Sequence, residues 1–485
     1  MNPLLLTDGY KLDHRRQYPA GTTLVYSNWT PRKSRVEGVE EVVFFGLQYF
    51  LKEYVLERFE RDFFARPKAE VLAEYAARVN AYLGPNQVGT EHIGALHDLG
   101  YVPMSFKALP EGVRVPVRVP MFTMVNTLPE FFWLTNYFET LLSAVVWMPC
   151  NSATIAREYR RILDAAAAKT SSAPEFVDWQ GHDFSMRGMA GVEAALMSGA
   201  GHLLSFSGSD TVPAIGWLER YYGADAQDEI VGGSVAATEH SVMSMGTQDN
   251  ELATFRRLIT EVYPAGVVSI VSDTWDLWQV LTEYLPALRD EVMARDGKVV
   301  IRPDSGDPAD IICGTAGAQS ERARKGVIEL LWDEFGGSVN AKGYRELDPH
   351  VGAIYGDSIT LERARDITAR LAAKGFASTN VVLGVGSFTY QYNTRDTFGF
   401  AMKATYGEVA GEGRAIFKDP VTDDGTKRSA RGLVRIERPN GAYVLHDEQT
   451  WAQEAGGELV EVFRDGRLLV EHTLAEVRQR VRGQA

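Results

Sequence analysis

From residue 202 onward, apolar runs of strand length keep ending abruptly in polar, glycine-bearing turns, and this recurrence restricts the fold more than any other feature. Val267 to Val271 gives way to Ser272 and Asp273. Lys298 to Ile301 gives way to Arg302, Asp304, Ser305 and Asp307, punctuated by Pro303, Gly306 and Pro308. Val351 to Tyr355 ends in Gly356 and Asp357, Asn380 to Val385 runs into Gly386, and upstream His202 to Phe206 leads to Gly208, Ser209 and Asp210. Short all-apolar runs read as strands buried on both faces. Helical segments lie between them, the clearest being Leu361 to Lys374, with Thr360 as its N-cap and Gly375 as its stop. Strand, polar turn and helix in series imply parallel strands with every polar turn at one end. The expected class is therefore α/β, a (β/α) barrel whose mouth holds the site, with a doubly wound open sheet as the alternative.

The stretch Lys298 to Pro308 carries the most chemistry. Arg302 and Asp304 stand two apart at the end of a buried strand, where each loses hydration unless it meets a partner or a ligand. A net charge of −14 argues against a nucleic-acid surface, so any anionic ligand must be held by locally clustered cations. Two cysteines, Cys150 and Cys313, indicate no disulfide framework, and a cytoplasmic protein is expected. The N-terminus has no basic region and does not read as a signal peptide. Phe131 to Met148 is strongly apolar, but Asn136 and Glu139 interrupt it, which fits a buried helix better than a membrane span.

At 485 residues the chain is too long for one ordinary domain. Residues 1–150 read as the first part of a mixed α+β domain, with amphipathic helices over 45–63 and 69–83. Residues 151–398 read as the barrel, starting with a helix that Asn151 can cap. Residues 399–485 read as returning to complete the mixed domain. Phe184 and Arg187, three apart between Gly181 and Gly188, let a ring and a guanidinium approach one ligand. Gly232 to Ser241 combines small residues with Glu239 and His240 among the polar turns. The basic turn Pro31 to Arg35 reads by itself as solvated surface. No phosphate-binding G-x-x-x-x-G-K-[ST] loop, dinucleotide G-x-G-x-x-G turn, G-x-S-x-G elbow or paired C-x-x-C is present.

Taken together, Thr7 to Lys11, Val43 to Tyr49, His182 to Phe184, Gly208 to Thr211, Ser234 to His240, Ser272 with Asp273, Ile301 to Gly306, Gly356 with Asp357, Thr394 to Asp396 and Phe417 to Pro420 make a chain that resembles the nicotinamide phosphoribosyltransferases nearly end to end. These are type II phosphoribosyltransferases. The resemblance implies an irregular α/β barrel plus a mixed domain, in a homodimer with active sites at its interface. It also implies transfer of the phosphoribosyl group of 5-phosphoribosyl-1-diphosphate to nicotinamide in NAD salvage, with Mg2+ as cofactor and ATP as co-substrate; no nucleic acid or membrane partner is expected.

By the same resemblance, nicotinamide stacks between Phe184 and Tyr10 of the second subunit, and Asp210 accepts its carboxamide N–H. A nicotinate carboxylate there would face a like charge, at a cost of about 1 to 4 kcal/mol. Arg187 and Arg302 hold diphosphate or phosphate oxygens. Asp304, Gly356, Asp357 and Arg395 surround the ribose and its 5-phosphate, and Ser234, Val235, Ser272, Gly386 and Ser387 complete the substrate-binding set. His240 matches the histidine that ATP phosphorylates, oriented by Glu239 or Asp273. Arg32, Lys403, Lys418 and Lys427 match phosphate-binding cations contributed across the dimer. Ser387 stands where these enzymes usually have a glycine, so its side chain needs room beside the phosphate. Metal ligands are not specified. A nicotinate-using enzyme and a non-catalytic phosphoribosyl- or nucleotide-binding dimer are the competing readings, and Asp210 argues against the first.

Overall fold

The computed structural model describes residues 1–356, 358–417 and 430–483, and the chain divides into two compact units. Unit 2 comprises Ile155–Gly216 and Asp225–Tyr392. Its sheet is built from β1 (Gly181–Asp183), β2 (Gly208–Ser209), β3 (Ala236–Ala237), β4 (Ala265–Val271), β5 (Asp296–Arg302), β6 (Val351–Tyr355) and β7 (Val381–Val385). All pair in parallel in the order β2-β1-β7-β6-β5-β4-β3. A parallel bridge from Gly208 to Gly233 then joins the β2 edge to the segment entering β3. The parallel sheet expected from the strand-turn-helix rhythm is thus observed, curled so that its two edges meet.

The two faces of β5 show why the sequence folds this way. Successive side chains alternate across a strand. Val299 and Ile301 are fully buried on the outward face, while Lys298, Val300 and Arg302 line an interior cavity of about 380 Å3. Barrel interiors are ordinarily filled by bulky branched side chains. Here Ala237 and Gly352, level with Val300 across the sheet, leave that interior open.

The connecting helices include α1 (Glu139–Thr170), whose later residues belong to unit 2, α2 (Val192–His202), α3 (His240–Met245), α4 (Pro308–Cys313), α5 (Leu361–Ala373) and α6 (Ser387–Tyr390). Thr360 caps α5 by accepting from the Arg363 N–H at 3.2 Å. Asp307 caps α4, accepting from Ala309 and Asp310, so this member of the polar turn after β5 is structural.

Two sequence expectations differ here. His202 to Phe206 is the end of α2 and the turn after it, not a strand. A five-residue apolar run does not separate the two, and the backbone still makes the helical bond from Leu203 N–H to the Gly199 carbonyl. Asn151 lies inside α1 and is not its cap. The apolar pattern simply continues upstream through Leu142 and Val146, and the Asn151 amide instead donates to the Thr394 carbonyl at 2.8 Å. Among the described residues no helix is long and apolar enough to cross a membrane.

Unit 1 comprises Met1–Thr154, Trp217–Ala224 and Asn393–Ala485. Its seven-stranded sheet interleaves the two ends of the chain: Thr22–Thr30 pairs antiparallel with both Ala401–Val409 and Phe122–Asn126. Trp29 is fully buried there, stacked on Phe400 at 5.4 Å and on Phe122 at 6.1 Å.

Candidate active site

At the carboxyl end of the barrel strands, β1 presents His182 to the interior and leads straight to Phe184. Both of its sheet neighbours are glycines at this level: His182 is in register with Gly208 on β2 and with Gly384 on β7. A Cβ on Gly384 would lie 2.8 Å from the Phe184 ring and 2.6 Å from the Tyr355 carbonyl oxygen. The glycine therefore makes room for the ring, and Gly384→Ala is expected to displace it. A rise of about tenfold in the KM for an aromatic substrate, with a drop in Tm, would mark this displacement.

Asp210 follows β2 and is held by three bonds. Its N–H donates to the Asp183 carbonyl at 2.9 Å, while its Oδ1 accepts from His182 Nε2 at 2.9 Å and from Ser234 Oγ at 2.8 Å. Burial opposes its ionisation. The His182 bond and charge, the Ser234 hydroxyl and the Arg302 charge outweigh burial and hold its carboxyl below the usual carboxylate range. Asp183, fully buried on the opposite face of β1, anchors the same loop through Thr211 Oγ1 at 2.7 Å and Ser209 Oγ at 3.3 Å.

Arg302 ends β5 with its guanidinium donating to the Thr238 carbonyl. Burial lowers its pKa and the charges of Asp304, Asp210 and Asp273 raise it, while Arg187 acts with burial. Two guanidiniums close enough to repel each other suit a polyanion, which relieves both. Arg187 itself is exposed, in the turn Met186–Gly188. Asp304 is exposed, and its N–H donates to Asp273 Oδ2 at 2.8 Å. A Cβ on Gly356 would sit 2.9 Å from Asp304 Oδ1, so the glycine leaves room for that exposed carboxylate.

His240 opens α3 with its Nε2 3.5 Å from Asp273 Oδ1. Glu239, the alternative orienting carboxylate, is exposed and accepts from the Ser241 hydroxyl instead, so Asp273 is the carboxylate beside the imidazole. Ser272 is fully buried, its hydroxyl donating to the Ile270 carbonyl at 2.7 Å and its N–H to the Arg302 carbonyl at 3.1 Å; it holds the turn together. Val235 lines the cavity beside Ser234. Gly386 precedes α6, and Ser387 is half-buried with its Oγ against the α-carbon of Gly188, where a Cβ would come within 2.0 Å. The room Ser387 needs is supplied by that glycine.

Four of the described candidate residues belong to unit 1. Tyr10 is 62% exposed, its ring 5.2 Å from His14 and 5.4 Å from Lys11 Nζ, and Lys11 is itself buried and paired with Glu139 at 2.6 Å. The Arg395 charge is felt at Tyr10, and Arg395 starts a 3-10 turn capped by Thr394. Arg32 Nε donates to the Gly399 carbonyl at 2.9 Å, and Lys403 sits in the strand Ala401–Val409 opposite Asn28. Asp357, Lys418 and Lys427 lie outside the described residues.

Three residues that bear on the site were given no role of their own by sequence reasoning: His182, Gly384 and Thr238. His182 was legible in principle, because a polar residue two before Phe184 on one strand must share its face.

A sequence profile described as the nicotinate phosphoribosyltransferase family matches residues 179–465, and one for the N-terminal domain of nicotinamide phosphoribosyltransferase matches residues 2–83. The nicotinamide phosphoribosyltransferase of Acinetobacter baylyi is 54% identical, over 99% of this chain and 97% of its own. The chain belongs to the nicotinamide phosphoribosyltransferase family. Relatives of the same name from Mycoplasma pneumoniae and Xanthomonas campestris are 37% and 34% identical, over 90% and 98% of this chain and 96% and 97% of their own. Among solved structures, the nicotinate-nucleotide pyrophosphorylase of Pyrococcus furiosus superposes with a TM-score of 0.58 at 15% identity, over 100% of this chain and 96% of its own. The human nicotinic acid phosphoribosyltransferase gives a TM-score of 0.57 at 18% identity, over 99% and 93%. At these identities the structures speak for the fold alone, and the sequence relatives for the family.

Proposed function

We propose that this chain transfers the phosphoribosyl group of 5-phosphoribosyl-1-diphosphate to nicotinamide, giving nicotinamide mononucleotide and diphosphate in NAD salvage. The observation that carries the choice of base is Asp210, a carboxylate held ionised by His182 and Ser234 in the cavity that Phe184 and Arg302 also line. It accepts the N–H of a carboxamide and repels a carboxylate. Phe184 offers one stacking face, and Tyr10 of a second subunit in a homodimer supplies the other.

As diphosphate leaves, ribose C1 becomes oxocarbenium-like and the pyridine nitrogen attacks it. Arg302 and Arg187 receive the charge that develops on the leaving group, preorganised by the Thr238 carbonyl and the surrounding carboxylates. Among the described residues no three His, Cys, Asp or Glu side chains gather as a metal site. This donor set fits Mg2+ carried by the diphosphate, with Asp304 as the exposed carboxylate beside Arg302, since Mg2+ is usually held by one or two carboxylates plus substrate phosphates. When bound, the ion offsets charge on the leaving group.

His240 is the site of phosphorylation by ATP in this reading, with Asp273 as its orienting carboxylate. Arg32, Lys403, Lys418 and Lys427 serve phosphate groups across the dimer. The test is mononucleotide formation from 5-phosphoribosyl-1-diphosphate and Mg2+, with nicotinamide and nicotinate in parallel, with and without ATP, for wild type and His240→Ala. Nicotinamide is expected as the base, with ATP stimulating wild type and not the variant. Preference for nicotinate, or binding without turnover, would refute the assignment; stimulation of His240→Ala by ATP would refute the phosphohistidine alone.

A further inference from the structure

The two oxygens of Asp210 are not equivalent. His182 Nε2 and Ser234 Oγ both address Oδ1, at 2.9 and 2.8 Å, and among the described residues no donor addresses Oδ2. An ionised carboxylate only accepts, so His182 must carry its proton on Nε2 and donate it. The other ring nitrogen, Nδ1, faces the α-carbon of Gly208, where a Cβ would lie 2.7 Å away. Only glycine there lets the imidazole take this orientation. The same ring lies 4.5 Å from the Phe184 ring, tilted by 38°. Behind it, the Gly208 carbonyl accepts from the buried His202 Nε2 at 3.0 Å, whose Nδ1 is bonded to Tyr390 Oη at 2.6 Å.

We propose that His182 is a positioning residue for the base: with Ser234 it saturates Asp210 Oδ1, fixes the rotation of the carboxylate, and leaves Oδ2 as the acceptor for the carboxamide, while its ring sets the angle of Phe184. Selectivity for the amide then depends on two donors behind Asp210 as much as on Asp210. A carboxylate free to rotate would present either oxygen and would recruit water, which bonds both an amide and, through its hydrogens, an acid. The fixed arrangement presents one bare acceptor to the base.

This inference rests on the proposed nicotinamide reading, and wild-type turnover of nicotinamide tests that reading separately. The experiment compares His182→Phe, which keeps a ring and removes the donor, His182→Gln, which keeps a side-chain N–H, and the exposed Ser234→Ala, each also in an Asp210→Ser background. Steady-state constants for nicotinamide, nicotinate and 5-phosphoribosyl-1-diphosphate are measured with a melting curve for every variant. His182→Phe is expected to raise the nicotinamide KM about tenfold and to erode discrimination against nicotinate by a similar factor, with kcat and the KM for 5-phosphoribosyl-1-diphosphate little changed. His182→Gln recovers most of that loss, and Ser234→Ala shifts selectivity the same way by a smaller factor. In the Asp210→Ser background none of the three changes base selectivity further. The proposal is overturned if Gln recovers no more than Phe, or if the losses fall equally on kcat and on both substrates. It is also overturned if the effects persist without Asp210, or if Ser234→Ala leaves selectivity untouched should His182→Phe fail to fold.

Discussion

Asp210→Ser moves base preference from nicotinamide toward nicotinate by at least about a hundredfold in the ratio of kcat/KM values. Two effects of the same substitution add. Removing the carboxylate abolishes a like-charge contact worth about 1 to 4 kcal/mol against nicotinate, and takes from nicotinamide a charged acceptor worth about 1.5 to 3 kcal/mol. Competition between the two bases in one assay reads the ratio directly, and an unchanged ratio would remove Asp210 from the specificity argument. The pH dependence has a definite sign. Because the Asp210 carboxyl lies below its ordinary range, its contribution to folding is present above the unfolded-state value and is lost as pH falls through the depressed one. Selectivity is therefore flat with pH around neutrality, and wild type loses its stability advantage over the variant only in acid.

How much of this was visible in the chain depends on how local the physics is. The strand-turn units at Val267 to Asp273, Lys298 to Pro308, Val351 to Gly356 and Asn380 to Gly386 were legible because apolar runs and turn residues act over a few positions, and the strands fall at Ala265–Val271, Asp296–Arg302, Val351–Tyr355 and Val381–Val385. Arg302 was legible as a polar group at the end of a buried strand, where burial demands a partner; Asp304, read the same way, is exposed in the turn that follows, and the role of Asp210 came from the family resemblance, since the run before it is helical. Closure of the sheet through Gly208 and Gly233 was not, because it joins segments that share no local pattern. The same holds for Trp217–Ala224, which falls with unit 1 although it is flanked in sequence by unit 2. The assignment of Asp273 over Glu239 beside His240 also needed coordinates: Glu239 is adjacent in sequence, yet backbone direction turns it to Ser241.

Arg302→Ala is expected to cost about a thousandfold in kcat/KM for 5-phosphoribosyl-1-diphosphate, and the loss should exceed that of Arg187→Ala. Both guanidiniums are assigned to phosphate oxygens, but their surroundings differ. Arg187 is exposed and replaceable in part by solvent and counter-ions. Arg302 is largely buried, bonded to the Thr238 carbonyl and close enough to Asp304, Asp210 and Asp273 for all three charges to act on it. Taking it away leaves three carboxylates facing an incoming polyanion, and removing one partner of a buried charge network costs about 3 to 5 kcal/mol. Arg302→Lys restores the charge but not the bidentate fork, so it should recover only part of the loss. Raising Mg2+ should rescue the alanine variant more than the lysine one, because the ion would offset the same uncompensated charge. Equal activities for the Arg302 and Arg187 variants at every Mg2+ concentration would mean that the buried position of Arg302 adds nothing to phosphate binding.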